Sequence, residues 1–175
     1  LHENAQQSYC GEFVRELLPA AECMWRTFAA RLCENGLACF TAKRYWNFYE
    51  WVDGLDGGVF FRDSEIPQTY DAILTALFAL ASRALGSLYE TEGNAEKSEE
   101  CVRYAERAEA SFEKFYDEQS GLYMSFIDGS GKKFGLHGYT QAVLAMAGIE
   151  RERAEKVVAA LMSPPDGMGE CTFAT

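Results

Sequence analysis

Residues 70–94, YDAILTALFALASRALGSLYETEGN, decide the fold. Through them Tyr70, Ile73, Leu74, Leu77, Phe78, Ala81, Ala84, Leu85, Leu88 and Tyr89 recur at three- and four-residue steps. That is the period of a helix burying one stripe. Pro67 suits its first turn, and Gly93 suits the position just past its end, where the backbone turns left-handed. Asn94 then offers a side-chain oxygen to cap a following helix. In that helix Val102, Ala105, Ala108, Phe112 and Phe115 form an apolar stripe opposite a face rich in glutamate, lysine and arginine. Helices joined within about two residues predict an antiparallel hairpin.

Toward the N-terminus, Phe13, Val14, Leu17, Leu18, Ala21, Met24, Trp25, Phe28 and Leu32 form another helical stripe, closed by Gly36. Pro19 interrupts it without changing its phase, which predicts either a kinked helix or a handover between two helices at Leu18. Toward the C-terminus, Leu122, Met124 and Phe126 alternate with Tyr123, Ser125 and Ile127 before the turn signal Asp128-Gly129. This predicts a small β-ribbon near 122–134. Residues 140–147 read as a short apolar helix ended by Gly148, and 151–162 as an amphipathic one stopped by Pro164-Pro165, a second hairpin. The expected fold class is therefore all-α, antiparallel helical hairpins with a small β-ribbon.

The 175 residues, 48% hydrophobic and 25% charged, suit a single domain spanning 1–175. A net charge of −11 disfavours nucleic acid and anionic membrane as partners, because both are held by lysine and arginine patches. No apolar run approaches the roughly 20 residues needed to cross a bilayer, and the N-terminus shows no basic start followed by an apolar stretch. The six cysteines, at 10, 23, 33, 39, 101 and 171, include no CxxC pair and read as buried thiols in a reducing compartment, the cytoplasm. His2 and His137 lie far apart without a cysteine at ligand spacing, so no zinc site, metal or cofactor is expected. The chain begins at Leu1 and stops at an apolar, hydroxyl-rich stretch, and both ends read as cuts.

Between the first helix and the hairpin lies a different segment, residues 45–58, YWNFYEWVDGLDGG. Sugars present apolar C–H faces and a ring of hydroxyls, so their sites combine flat rings with carboxylates and amides. Tyr45, Trp46, Phe48, Tyr49 and Trp51 supply rings, and Asn47, Glu50, Asp53 and Asp56 supply polar contacts. Packed entirely into a dry core, Asn47 and Glu50 would be left unsatisfied, so part of the segment is expected to face a wet cleft. Against this stands the reading of the rings as core and the carboxylates as solvated loop or helix cap. A calcium loop through Asp53, Asp56 and Asp63 does not fit the EF-hand spacing. His137 either lines the same rim from the start of a helix or bonds a backbone group in its glycine-flanked turn.

Trp46-Asn-Phe-Tyr-Glu-Trp51 resembles the W-x-F-x-[DE]-W segment of the six-hairpin glycosidases typified by bacterial α-L-rhamnosidases, family 78 glycoside hydrolases. The order that follows is similar too: a long alanine- and leucine-rich helix, an alanine-rich amphipathic helix, the junction Phe115-Tyr-Asp117 with Gly121-Leu-Tyr123, and the stretch from His137 to Gly148. The resemblance covers roughly residues 10–175. It implies an (α/α)6 toroid that hydrolyses terminal α-L-rhamnosyl or related bonds with inversion. Inversion needs an acid and a base roughly 6.5 to 9.5 Å apart, on opposite sides of the sugar.

The family's acidic motif upstream and its Gly-x-Thr-Thr-x-Trp-Glu motif downstream are both missing from these residues. The resemblance therefore implies a middle-to-late section of a barrel, about three hairpins, that provides substrate walls and no catalytic pair and is inactive in isolation. It carries over Trp46, Glu50, Trp51 and His137 as sugar-contacting positions, and Asp53 joins them from the polar contacts of the same segment. Exposed apolar faces, and self-association through them, are expected where further hairpins belong. Two other readings stand beside it. One is a stand-alone helical-hairpin module that binds a carbohydrate or a protein, although no fixed repeat period runs along the chain. The other is a small enzyme using Glu50 with Asp53 or Asp56, whose closeness in sequence makes opposite sides of a sugar hard to reach.

Overall fold

The computed structural model describes residues 11–40, 49, 50, 52, 54, 55 and 69–169. Among these residues five helices carry the architecture: α1 (Gly11–Ala29), α2 (Ala72–Thr91), α3 (Ala95–Glu109), α4 (Gly138–Ala147) and α5 (Arg151–Met162). Six short strands join them: β1 (Cys39–Phe40), β2 (Thr69–Asp71), β3 (Tyr116–Asp117), β4 (Leu122–Tyr123), β5 (Phe126–Asp128) and β6 (Lys133–Phe134). α1 runs through Pro19 as one helix, so there is no handover at Leu18. Of the stripe expected to be buried, Val14 before the proline and Trp25 after it are, and their packing outweighs one lost hydrogen bond, whereas Phe13, Leu17, Met24 and Phe28 are exposed.

The hairpin forms as its punctuation predicts. Gly93 has φ 76°, and the Asn94 side chain accepts from the Lys97 amide at 3.2 Å. Arg83 bonds Glu109 while Gly86 meets Cys101, so α2 and α3 run antiparallel. Ala72, Ala76, Ala105 and Ala108 are fully enclosed, and at Gly86 a Cβ would already lie 3.4 Å from the Cys101 Cβ and the Ser98 carbonyl oxygen. Small residues thus bring the helices close. α3 stops earlier than its stripe: Phe112 and Phe115 lie in a separate 3-10 turn, yet both are buried as expected.

Trp25 ties α1 to this pair. Its ring stacks on Phe78 at 6.0 Å and meets Tyr104 edge-on at 5.0 Å, and its N–H donates to Ser82 Oγ at 2.8 Å. At the other side of α2, Leu144 of α4 and Val157 of α5 are completely enclosed. α4 ends at Gly148 with φ 94°, as its sequence predicts, and α5 spans the expected residues.

The ribbon expected near 122–134 is part of a larger device. β5 and β6 pair as a hairpin, but β2 and β1 add to it, giving an antiparallel sheet in the order β1-β2-β5-β6. β4 pairs instead with β3. Tyr70 therefore belongs to a strand, opposite Cys39 on one side and Ile127 on the other, and α2 begins at Ala72 with Asp71 as its cap. Two- and three-residue strands are too short to show alternation, so local pattern could not reveal them. Pro67 lies outside the described residues.

Two further expectations are corrected. α2 is long and apolar enough to cross a membrane by length and composition, with a mean hydropathy of 1.5 over 18 residues, but 61% of that window is buried in the protein. Its small residues and its contacts with α1, α3 and α4 make it a core helix. Of the cysteines among the described residues, only Cys101 is buried; Cys33 and Cys39 are half-buried and Cys23 is exposed, all four as free thiols.

Candidate functional site

Three chain segments meet at the end of the molecule where α2 and α4 begin. The first is the loop around Tyr49 and Glu50. Its Tyr49 and Glu50 amides both donate to the Leu55 carbonyl, at 2.9 and 3.3 Å, and the Leu55 amide donates to Val52. Leu55 is 1% exposed and anchors the loop in the core. Gly54 turns the chain with φ 86°, and a Cβ there would lie 3.3 Å from His137 Nε2.

The second segment is the start of α4. His137 is its N-cap in extended conformation, and its side chain does not cap the helix. Instead Nδ1 lies 2.7 Å from Ser125 Oγ, which in turn lies 2.5 Å from Thr140 Oγ1, all three side chains buried. Gly135 and Gly169 press on the same ring: a Cβ would fall 2.9 Å from His137 Cε1 at the first and 2.8 Å from Cδ2 at the second. The imidazole is thus held in one orientation by a hydroxyl pair and by glycines that leave room for nothing larger. One helical turn on, the buried Gln141 amide accepts from Tyr123 N at 3.1 Å and donates to Tyr123 O at 2.6 Å, clamping β4 to α4.

The third segment is the end of β2. Asp71 is 1% exposed, and its carboxylate accepts from the Leu74 amide at 3.0 Å and from the Tyr49 hydroxyl at 2.7 Å. Burial pushes its pKa up to about 6 despite those hydrogen bonds. Burial and the adjacent Asp71 charge push the Tyr49 hydroxyl up as well, so it stays a donor. The Tyr49 ring stacks on Tyr139, 6.4 Å between centroids. The sheet holds these parts in register: Asp71 N donates to Ala38 O, Ala72 N to Ser125 O and Ser125 N to Gly135 O.

Of the residues proposed from sequence, Glu50 and His137 are brought to this junction, and both are buried, 7% and 6% exposed. Trp46, Trp51 and Asp53 lie outside the described residues. Sequence reasoning missed Asp71, Ser125, Thr140 and Gln141. Only Asp71 carried a local signal, an acidic residue in N-cap position before an apolar run. Among the described residues no cluster of three His, Cys, Asp or Glu side chains is placed to hold a metal ion.

No family model and no curated protein matches the chain. Its fold does match solved structures. A GH78 family rhamnosidase of Bacillus sp. GL1 superposes with a TM-score of 0.81 at 18% identity, over 97% of this chain and 17% of that one. A rhamnosidase from Klebsiella oxytoca, solved with rhamnose bound, superposes with a TM-score of 0.72 at 15% identity, over 95% and 29%. The chain thus has the fold of one part of these proteins and spans less than a third of either.

Proposed function

We propose that this chain is a section of an α-L-rhamnosidase-like glycoside hydrolase domain, built as part of an (α/α)6 toroid, that supplies walls of the sugar site. The observation that carries the reading is the superposition of nearly the whole chain on a GH78 rhamnosidase. A second feature supports it. α1, α2 and α4 leave an apolar groove of about 910 Å³, bordered by Met24, Phe28, Leu77 and Met146. Met24 and Met146 are 66% and 72% exposed. A face of this kind suits further helices of a barrel, and in their absence it drives self-association.

In this reading the Tyr49–Glu50 loop and the start of α4 form one side of the sugar pocket. Trp46 and Trp51 stack on sugar C–H faces, and Glu50, Asp53 and His137 accept or donate hydrogen bonds to hydroxyls. The acid and base of an inverting hydrolysis belong to other parts of the domain, so the chain binds without turning over substrate. The stand-alone-module reading has no observation in its favour.

Tryptophan fluorescence during titration with rhamnose and a panel of monosaccharides tests the proposal. Trp25 is buried against Ser82 and provides a constant background. A saturable change with one sugar class, abolished by Trp51→Ala, is expected; a flat response to every sugar at millimolar concentration would overturn the binding role.

A further inference from the structure

We infer that Asp71 is a positioning residue: through the Tyr49 hydroxyl it holds the loop that carries Glu50 against the start of α2, and so sets where that loop meets a sugar. The inference rests on the sugar-site reading for its last clause, but its structural half stands alone.

A helix cap needs one acceptor, and Ser, Thr or Asn would serve α2 without burying a charge. Asp71 divides its carboxylate. Oδ1 takes the Leu74 amide at 3.0 Å, and Oδ2 takes the Tyr49 hydroxyl at 2.7 Å. The second bond does nothing for the cap. It joins a loop, closed on itself through the Leu55 carbonyl, to the helix with the most buried residues among the described ones. Tyr49 is suited to the task because its ring is gripped from the other side by Tyr139, the second residue of α4. Displacing the hydroxyl therefore shifts the ring between α2 and α4, and with it the backbone of Glu50, the next residue. A hydrogen bond to a carboxylate is stronger than one to a neutral acceptor, which gives the latch its strength.

Tyr49→Phe removes the latch and leaves the cap intact. Hydrogen exchange of the Tyr49-position, Glu50 and Leu55 amides is expected to speed up by about tenfold, with the amides of α2 unchanged. Exchange in the loop that stays within twofold of wild type, or that rises equally in α2, would overturn the inference. Asp71→Asn is the second variant, since asparagine still caps the helix. It is expected to loosen the same amides, and the double variant is expected to be no faster than Tyr49→Phe alone; additive loosening would show that the two residues act separately and defeat the proposal. Rhamnose titration of Tyr49→Phe adds the functional arm, with weaker binding expected. If the wild type binds no sugar, the sugar-site reading fails, while the exchange comparison still decides the latch.

Discussion

Two carboxylates at opposite ends of α2 show how differently one chemical group can be used. Near its last turn, Glu22 of α1 accepts from Tyr89 at 2.5 Å, from Lys97 at 2.6 Å and from Arg26 at 2.8 Å, while Arg26 also reaches Glu100. The hydrogen bond from Lys97, then that from Tyr89, pulls the Glu22 pKa down to about 2. At the first turn, Asp71 meets only neutral donors in a buried setting, and its pKa moves the other way, to about 6. Glu22 is surface glue between three helices. Asp71 is a buried charge that folding alone does not favour, the kind of local cost found where a site is organised.

The same substitution, carboxylate to amide, should therefore act with opposite signs at the two ends. Asp71→Asn is expected to have the larger effect. An upward shift from 3.8 to about 6 corresponds to roughly 3 kcal/mol against the ionised folded state. Some of this is offset by weaker hydrogen bonds to a neutral amide, so thermal melting at pH 8 should show a gain of about 2 kcal/mol, or about 4 to 8 °C. A lowered melting temperature would mean that the charge stabilises the fold after all.

Next in size is the pH profile. Because its folded pKa is raised, Asp71 contributes stability that is fully present below 3.8 and lost as pH rises through about 6. Glu22, with its folded pKa lowered, contributes stability present above 4.5 and lost as pH falls toward about 2. Melting curves across pH 4 to 7 should slope downward in the wild type and flatten in Asp71→Asn, while Glu22→Gln should leave that slope and change only the limb below pH 4.5.

Glu22→Gln itself is expected to lose about 1 kcal/mol at pH 7. The Glu22 side chain is 18% exposed and its partners Lys97 and Arg26 are 38% and 49% exposed, so screening reduces what the lowered pKa alone would suggest. The smallest expected effect is that of salt. Melting in about 1 M sodium chloride should shrink the Glu22→Gln difference by a few tenths of a kcal/mol and leave the Asp71→Asn difference unchanged, because buried groups are screened least. Equal salt responses would erase the distinction between the two ends.

Much of the helical framework was legible because it is local. The helical period of 73–89, the Gly93 and Asn94 punctuation, the Gly148 stop and the residues of α5 all encode structure within a few positions, although Leu77 and Ala81 of the expected buried stripe are exposed. The sheet was legible only at 126–134, where two strands are neighbours. Its other half pairs Cys39 with Tyr70 and Tyr70 with Ile127, contacts between distant segments whose strands are too short to carry a period. The candidate site divides in the same way. Glu50 was named by residue type and by the family resemblance and His137 by the resemblance, whereas Ser125 and Thr140 gained meaning only when folding set them beside the His137 ring.

What the sequence by itself determined is that the chain turns back at Gly93 and Asn94, that α4 stops at Gly148 and that α5 covers 151–162, because caps, glycines and apolar spacing act over one or two turns. Only the tertiary structure decided that Tyr70 is strand, that Pro19 leaves α1 continuous, and that Asp71 is more than a cap. Those outcomes depend on burial, and burial is a property of how remote segments pack: the same aspartate in an exposed first turn would be an ordinary ionised cap, while enclosed between β2, α2 and Tyr49 it becomes a strained charge that holds a loop.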